Sequence, residues 1–334
     1  MPVLNAPDGP SGSSASRPAA VTLGVLGNLD YARSLGKKGT ESDVQLLTFK
    51  EGDVNVSMVA PFRFPEKVQP AVYAVNAGDA ILLVIKEMNR ELGEQILAAA
   101  AAGQSRGLIV LQSYIQPAQV QPLLKGTTLE KIPMTDDDKA PGVRAKIAEL
   151  ATPPRDGPVR IPIDHHFNVK GIGAVILGFV KQGLVKKHDV LQVYPTAKTC
   201  QVRSIQVHDV DVAEARTGDH VGLALKGIEN DDLDRGFVLA PEGSLFVADA
   251  GKTIKLRASV TPFFKPGLKA NGIYHLGLGW QFVAARAKND LAPGKDGDVE
   301  FELSAALAYA PGDRVVLANL DNAGQRIVGH GTIG

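Results

Sequence analysis

The period of hydrophobic positions changes part-way along the chain. Between residues 21 and 151 the apolar residues come in unbroken runs, at Val21-Thr22-Leu23-Gly24-Val25-Leu26-Gly27, Ala80-Ile81-Leu82-Leu83-Val84-Ile85 and Gly107-Leu108-Ile109-Val110-Leu111. Short continuous runs bounded by turn residues fit strands covered on both faces, as in a parallel sheet. Glu91 to Ala102, between the second and third runs, consists of good helix formers. This alternation predicts an α/β domain over residues 21–151. From Val159 onward the pattern is different: RIPIDHHFNVKGIGAVILGFVKQGLVKKHDVLQVYP, then GDHVGLALKGI and DRGFVL, place short apolar stretches between Gly, Asp and Lys turn signals at nearly regular spacing. That pattern predicts a small antiparallel β-barrel over residues 158–243. A further β-rich region follows over 246–334: Ile254 to Val260 alternates, Phe301-Glu302-Leu303 and Arg314-Val315-Val316-Leu317 read as strands, and Pro311-Gly312-Asp313 as a turn. Ala151 to Pro158 is rich in Pro and Gly and reads as a linker.

Composition narrows the function classes. At 334 residues, with 44% hydrophobic and 22% charged positions, the chain suits a soluble globular protein of two or three domains. Lys plus Arg and Asp plus Glu both number 36, so no bulk basic field attracts nucleic acid, and any RNA contact rests on a local patch. DNA is not an expected partner. The single cysteine, Cys200, excludes an internal disulfide and a cysteine zinc site, and a buried inert thiol is expected there. Residues 1–20 are rich in Pro, Ser, Gly and Ala, lack the charged-then-apolar order of a signal peptide, and read as a flexible leader. No stretch approaches the ~18 apolar residues of a membrane span, so no membrane partner and a cytoplasmic location are the expectations. HExxH and paired cysteines are both missing.

The barrel region resembles domain 2 of the translational GTPases, in particular the elongation factor Tu and SelB group. The resemblance is carried by Gly171 and Gly173, the Gly178 to Gly183 hairpin, the Lys187 to Asp189 turn, Ser204-Ile205-Gln206, Gly218-Asp219 and Arg235-Gly236. The last region is similar to domain 3 of the same family, best as found in SelB. Gly272-Ile273-Tyr274-His275-Leu276-Gly277-Leu278-Gly279, Pro311 to Val315 and the closing Ile327 to Ile333 carry that match. The whole then looks like an archaeal SelB-like paralogue, an α/β plus all-β chain with a degenerate P-loop GTPase-like domain followed by two β-barrels.

Within the first domain the resemblance implies a phosphate loop after Val21 to Leu26, of the form Gly-x-x-x-x-Gly-Lys-Ser/Thr. Gly27, Asp30 and Ser34 fit that frame, while Ala32 stands at the second glycine and Arg33 at the lysine. Arginine's planar fork is a poor substitute for a compact ammonium in a tight loop. The Asp-x-Pro-Gly-His of the second switch keeps only Pro61, with Val59, Phe62 and Arg63 at the aspartate, glycine and histidine. The Asn-Lys-x-Asp of the guanine loop becomes Gln112-Ser113-Tyr114-Ile115, and Asp136-Asp137-Asp138 follows near the base site. Magnesium placement, water orientation and guanine selection therefore lose their groups together. Thr40, the one nominee for a switch threonine, reads as a loop residue.

Two readings stay open. One is an elongation-factor-like protein that has lost GTP hydrolysis, has no cofactor, and acts by binding transfer RNA, the ribosome or another translation factor. The other is a divergent GTP-dependent elongation factor in which Gly27, Asn28, Asp30, Arg33 and Ser34 hold GTP with magnesium. No catalytic residue and no metal ligand set is nominated. The family's domain 2 lines the pocket for the end of transfer RNA, which makes Lys170, Lys186, Lys187, Arg203 and His208 the candidate RNA contacts. His165-His166 reads as surface on an edge strand. The three domains are expected to hold one arrangement, because no γ-phosphate sensor remains to bias two states.

Overall fold

The computed structural model describes residues 19–334. The expected leader falls on residues 1–18, outside the described residues, except for its last two positions. Ala19 and Ala20 already pair with Val54 and Asn55 as the first rungs of a parallel ladder, so the ordered strand begins before the expected boundary.

The first domain runs β1 (Ala19–Gly27), α1 (Leu29–Leu35), β2 (Lys37–Glu41), β3 (Gln45–Glu51), β4 (Val54–Ala60), α2 (Gln69–Ala77), β5 (Ala80–Ile85), α3 (Arg90–Ala101), β6 (Gly107–Leu111), α4 (Pro117–Leu124), β7 (Met134–Thr135) and α5 (Ala140–Ala148). Its sheet order is β2-β3-β4-β1-β5-β6-β7, parallel from β4 onward, with β2 and β3 added antiparallel at one edge. Strand periodicity explains the unbroken run at β5. Ile81, Leu83 and Ile85 enter one apolar cluster with α2, α3 and α4, while Ala80, Leu82 and Val84 enter another with α1 and α5. Helices on both faces leave no side that tolerates a polar residue. Thr40 lies within β2 and is not a loop residue.

The second domain comprises β8 (Ile161–Val169), β9 (Gly173–Phe179), β10 (Leu184–Lys186), β11 (Val190–Tyr194), β12 (Thr199–Val207), β13 (Val210–Val212), β14 (Glu214–Arg216), β15 (His220–Lys226) and β16 (Val238–Ala240). The order β11-β16-β8-β9-β15-β12 closes on itself through β11–β12 pairing. Cys200 sits in this core, and burial pushes its thiol up to about 11. The third domain comprises β17 (Phe246–Ala248), β18 (Thr253–Val260), β19 (Ile273–Leu278), β20 (Gln281–Ala287), β21 (Asp296–Leu303), β22 (Leu307–Tyr309), β23 (Arg314–Ala318) and β24 (Ile327–Ile333). It is a closed barrel in the order β18-β21-β20-β19-β23-β24, with β17 and β22 as a side ribbon.

The domains share packing. Val316, Ala318 and Ile327 of the third belong to the same apolar cluster as α2 and α3 of the first. Where all three meet, Trp280 is 1% exposed and lies 5.0 Å from Tyr73 of α2 and 6.0 Å from Phe179 of β9, centroid to centroid. Arg235 of the second domain places its guanidinium 4.9 Å from both the Tyr73 and Trp280 rings and pairs with Asp43. Gly236 beside it has φ +93°, and a Cβ there would come within 2.7 Å of the Trp280 carbonyl oxygen. A second tie joins α3 to the third domain: Arg326 pairs with Glu94, donates its backbone N–H to that carboxylate at 2.8 Å, and donates from its side chain to the Pro65 carbonyl at 2.9 Å.

Two expected outcomes follow from this packing. Arg326→Ala leaves the Glu94 carboxylate buried without a counter-charge, which costs on the order of 3 kcal/mol. The readout is faster amide exchange in α3 and β24 and a lower denaturation midpoint, with Arg326→Lys recovering only part because the two-pronged contact is lost. In β24, burial and then Arg314 push the His330 imidazole down to about 4. The unfolded chain, with a value near ~6.5, therefore takes up a proton that the folded chain refuses between those two values, and stability falls as pH falls through that window. Since the ring is half in water, the effect is discounted to about 1 kcal/mol. Thermal melts of His330→Gln should show a shallower fall from pH 6.5 to 4 than the unaltered chain, and parallel curves would refute the assignment.

Candidate functional site

β1 passes into α1 with only Asn28 between them. Gly27 has φ +82°, and a Cβ there would lie 1.9 Å from the Val84 carbonyl oxygen, so the close approach of β1 to β5 admits only glycine. Its N–H donates to Gln95 Oε1 of α3 at 2.8 Å, and the Asn28 N–H donates to the Val84 carbonyl at 2.9 Å. The Asn28 side chain donates to Gln112 Oε1 at 2.8 Å, and Gln112 donates in turn to Asp138 Oδ2 at 2.9 Å. Tyr31 closes this set by donating its hydroxyl to the Asp138 carbonyl at 2.7 Å. Burial, with Asp138 and Asp137 nearby, pushes the Tyr31 phenol up to about 12. The backbone groups at the head of this loop are thus spoken for by the protein itself.

Of the five nucleotide-site candidates, the structure brings Gly27 and Asn28 together and turns the other three elsewhere. Asp30 and Arg33 form an exposed ion pair at 2.8 Å along α1. Arg33 also donates to Gln45 Oε1 at 2.7 Å and lies 5.3 Å over the Phe62 ring, so it is held toward β3 and the turn after β4. The Ser34 hydroxyl donates to the Tyr31 carbonyl at 2.7 Å within its own helix. A cleft of about 560 Å³ lies beside Gly27, with Glu87 and Glu91 against Lys86 on its walls. Val59 is buried in β4, Arg63 pairs loosely with Glu66 at 3.6 Å, and Ile115 packs on the core. Tyr114 stands 97% exposed on the turn after β6, and both it and Ser113 adopt positive φ.

A second cleft, of about 310 Å³, separates the β2–β3 hairpin from the second domain and is walled by Lys37, Lys38, Thr40, His208 and His220. His208, at the turn between β12 and β13, places Nε2 3.4 Å from Ser57 Oγ of β4. Burial, then His220, pushes its imidazole below the ordinary value. His220 stacks on Phe179 at 4.4 Å and shares Asp164 Oδ2 with His165, each 3.3 Å away. Burial raises the Asp164 carboxyl, but the two histidines outweigh it and hold it well below the usual carboxylate range. His165 is therefore not a surface residue of an edge strand: β8 lies between β16 and β9, and the ring is turned onto a buried carboxylate. The remaining RNA-contact candidates fall in two places. Lys170 lies in the turn between β8 and β9 and Arg203 donates to the Ile172 carbonyl of that turn at 3.3 Å, whereas Lys186 and Lys187 lie at the end of β10.

The family model for elongation factor Tu domain 2 matches residues 173–240. An uncharacterized protein of Methanocaldococcus jannaschii is 37% identical over 316 residues, covering 94% of this chain and 99% of that protein. The selenocysteine-specific elongation factor of the same organism is 33% identical over 180 residues, covering 49% of this chain and 38% of that factor. Elongation factor 1-alpha of Pyrobaculum calidifontis is 32% identical over 179 residues, covering 52% of this chain and again 38% of the relative. Among solved structures, translation elongation factor SelB from Methanococcus maripaludis with a GTP analogue superposes with a TM-score of 0.79 at 24% identity, over 94% of this chain and 79% of that one. The chain belongs to the SelB-like translational GTPase family.

Within that family the chain keeps the three-domain architecture. Sequence reasoning placed Gln112 and Asp138 near the base site, but no spacing or composition signal marked Gln95, a helix residue 68 positions from Gly27, as the group that occupies the Gly27 amide. The Asp164, His165 and His220 cluster was equally hidden, since His165 read as surface and neither Asp164 nor His220 was singled out.

Gln95 is 4% exposed and Gly27 half-buried, so Gln95→Leu should leave the Gly27 N–H without its acceptor at a cost of about 1 kcal/mol. Denaturant titration measures this directly, with Gln95→Glu, which keeps an acceptor, losing less. Equal losses in both variants would mean that the Gly27 contact contributes nothing.

Proposed function

We propose that this chain is a translation-factor scaffold that neither hydrolyses GTP nor depends on it, and that it works by binding the end of a transfer-RNA-like molecule across its first and second domains. One observation carries the first half: the Gly27 amide, at the head of the loop that cradles phosphate in the family, is bonded to Gln95. A triphosphate must displace that contact, the Asn28 amide contact and the Asn28 to Gln112 bond, without a lysine to repay the loss in charge. The residues present do not fit a nucleoside triphosphate with magnesium. Asp30 is tied to Arg33, and Val59 has no ligand to offer a metal.

The RNA half is supported by the relatives named as elongation factors and by local charge. Lys37, Lys38 and His208 line the cleft between the first and second domains, and Lys170 and Arg203 lie exposed on the same barrel. Phosphate contacts of this kind position an RNA without reading its sequence.

Calorimetric titration of nucleotide-stripped protein with GTP, GDP and ATP in magnesium tests the first half. The expected result at ~100 μM protein is no micromolar binding and no preference for guanine, since a Kd of ~1 μM is unmistakable there. Micromolar GTP binding with preference over ATP overturns the reading and restores a divergent GTP-dependent factor. Filter binding of bulk transfer RNA tests the second half. The Lys170→Glu, Arg203→Glu double variant should lose at least ~tenfold in affinity and show a shallower salt dependence, with Lys252→Glu on the third domain as the silent control. Equal affinity in both variants removes these residues from the interface.

A further inference from the structure

A cavity of about 450 Å³ opens where the three domains meet. This volume falls within the ~300–1,000 Å³ of small-molecule sites. The first domain contributes Asp79 and Arg106, the connecting stretch Arg155, the second domain Lys181, and the third domain Trp280 and Arg314.

Its charges do not cancel. Five cationic side chains line the cavity against two carboxylates. Arg160 and Asp313 neutralise each other through paired bonds of 2.8 and 2.7 Å. Asp79, whose side chain is 1% exposed, is shared by Lys181 at 2.7 Å and Arg155 at 3.2 Å, which leaves one positive charge over. Arg106 donates only to the carbonyls of Leu150 and Ala151, at 2.9 and 3.2 Å. Arg314 donates only to those of Ala101 and Ala100, at 2.6 and 3.3 Å. Among the described residues neither arginine forms an ion pair with a carboxylate, so three positive charges remain unmatched, two of them on the half-buried Arg106 and Arg314. Charges withdrawn from water without a counter-charge are costly to keep.

Two further features suit an occupant. Gly103, at φ +75°, leaves room for the Arg314 side chain: a Cβ there would lie 3.1 Å from its Nε. Trp280, on the cavity wall, has its indole N–H buried without an acceptor. Guanidinium forks match the oxygen geometry of phosphate.

We propose that this three-domain cavity binds a small polyanion carrying phosphate, held by Arg106, Lys181 and Arg314. The ligand touches all three domains at once and so stabilises their docked arrangement by mass action. This does not rest on the RNA reading, because none of these residues belongs to the Gly27 loop or to the Lys170 and Arg203 patch.

Trp280 is the only tryptophan in the chain and lines this cavity, so its emission reports on the junction of the three domains. The full chain is titrated at low salt with inorganic pyrophosphate and, separately, with ADP, both without magnesium, and with sodium chloride at matched ionic strength. The expected result is a saturable emission change with a Kd below ~1 mM and a raised thermal midpoint for the polyphosphates but not for chloride. Arg106→Gln and Lys181→Gln should each weaken binding by ~tenfold or more. Arg106→Lys, which keeps the charge, guards against a folding defect and should show an intermediate loss. Equal affinity for pyrophosphate and ADP assigns recognition to phosphate alone, and tighter ADP binding assigns it to an organic phosphate. An unchanged emission up to ~10 mM, the same response to chloride, or undiminished binding in folded variants overturns the proposal. Binding here is blind to the base and independent of magnesium, which separates it from guanine-selective, magnesium-dependent binding at the Gly27 loop.

Discussion

The arrangement of this molecule depends on the burial of Trp280 under the guanidinium of Arg235. Trp280 comes from the third domain, Arg235 from the second, and Tyr73, the other ring beneath the same guanidinium, from the first. A cation capping aromatic rings contributes ~2 kcal/mol when desolvated, and here it is fixed further by Asp43 of the first domain. None of the three domains can move away alone without exposing the indole or stranding a charge. The tight turn at Gly236 is a corollary, since a larger residue there meets the Trp280 backbone.

The same economy governs the end of β1. A loop that binds phosphate keeps its amides free in the absence of ligand, and that freedom costs stability. Here a glutamine from α3 takes the Gly27 amide and a chain of amide side chains joins β1, β6 and the loop before α5. On the proposed reading, side chains of the protein stand in for the hydrogen-bonding groups of a ligand there.

The layers of the fold were legible in the hydrophobic period. Fully apolar runs at β5 and β6 announced helices on both faces, and short strands between Gly and Asp turns announced barrels. The β2–β3 hairpin and α2 escaped notice because Lys37 to Glu41 is polar throughout and α2 follows a proline-rich turn, so neither carries a clear period. The absence of the phosphate-loop lysine could be read directly, but not what replaced it, because a contact between Gly27 and Gln95 exists only after β1 and α3 pack. For the same reason His165 read as surface: a buried carboxylate as its own neighbour is invisible without knowing which face of β8 points inward.

The connecting stretch from Ala151 to Pro158, whose composition marks it as a linker, is fastened at both ends. Thr152 donates to the Ala20 carbonyl of β1, the Arg155 carbonyl accepts from Gly183, and the Arg155 side chain meets Asp79 beside Lys181. In mechanical terms this stretch is a splint and not a swivel. A pull applied between the first domain and the barrels loads the β1 edge, the Asp79 bonds and the second barrel in parallel. The assembly therefore resists tension as one unit until several bonds rupture together, and then yields abruptly.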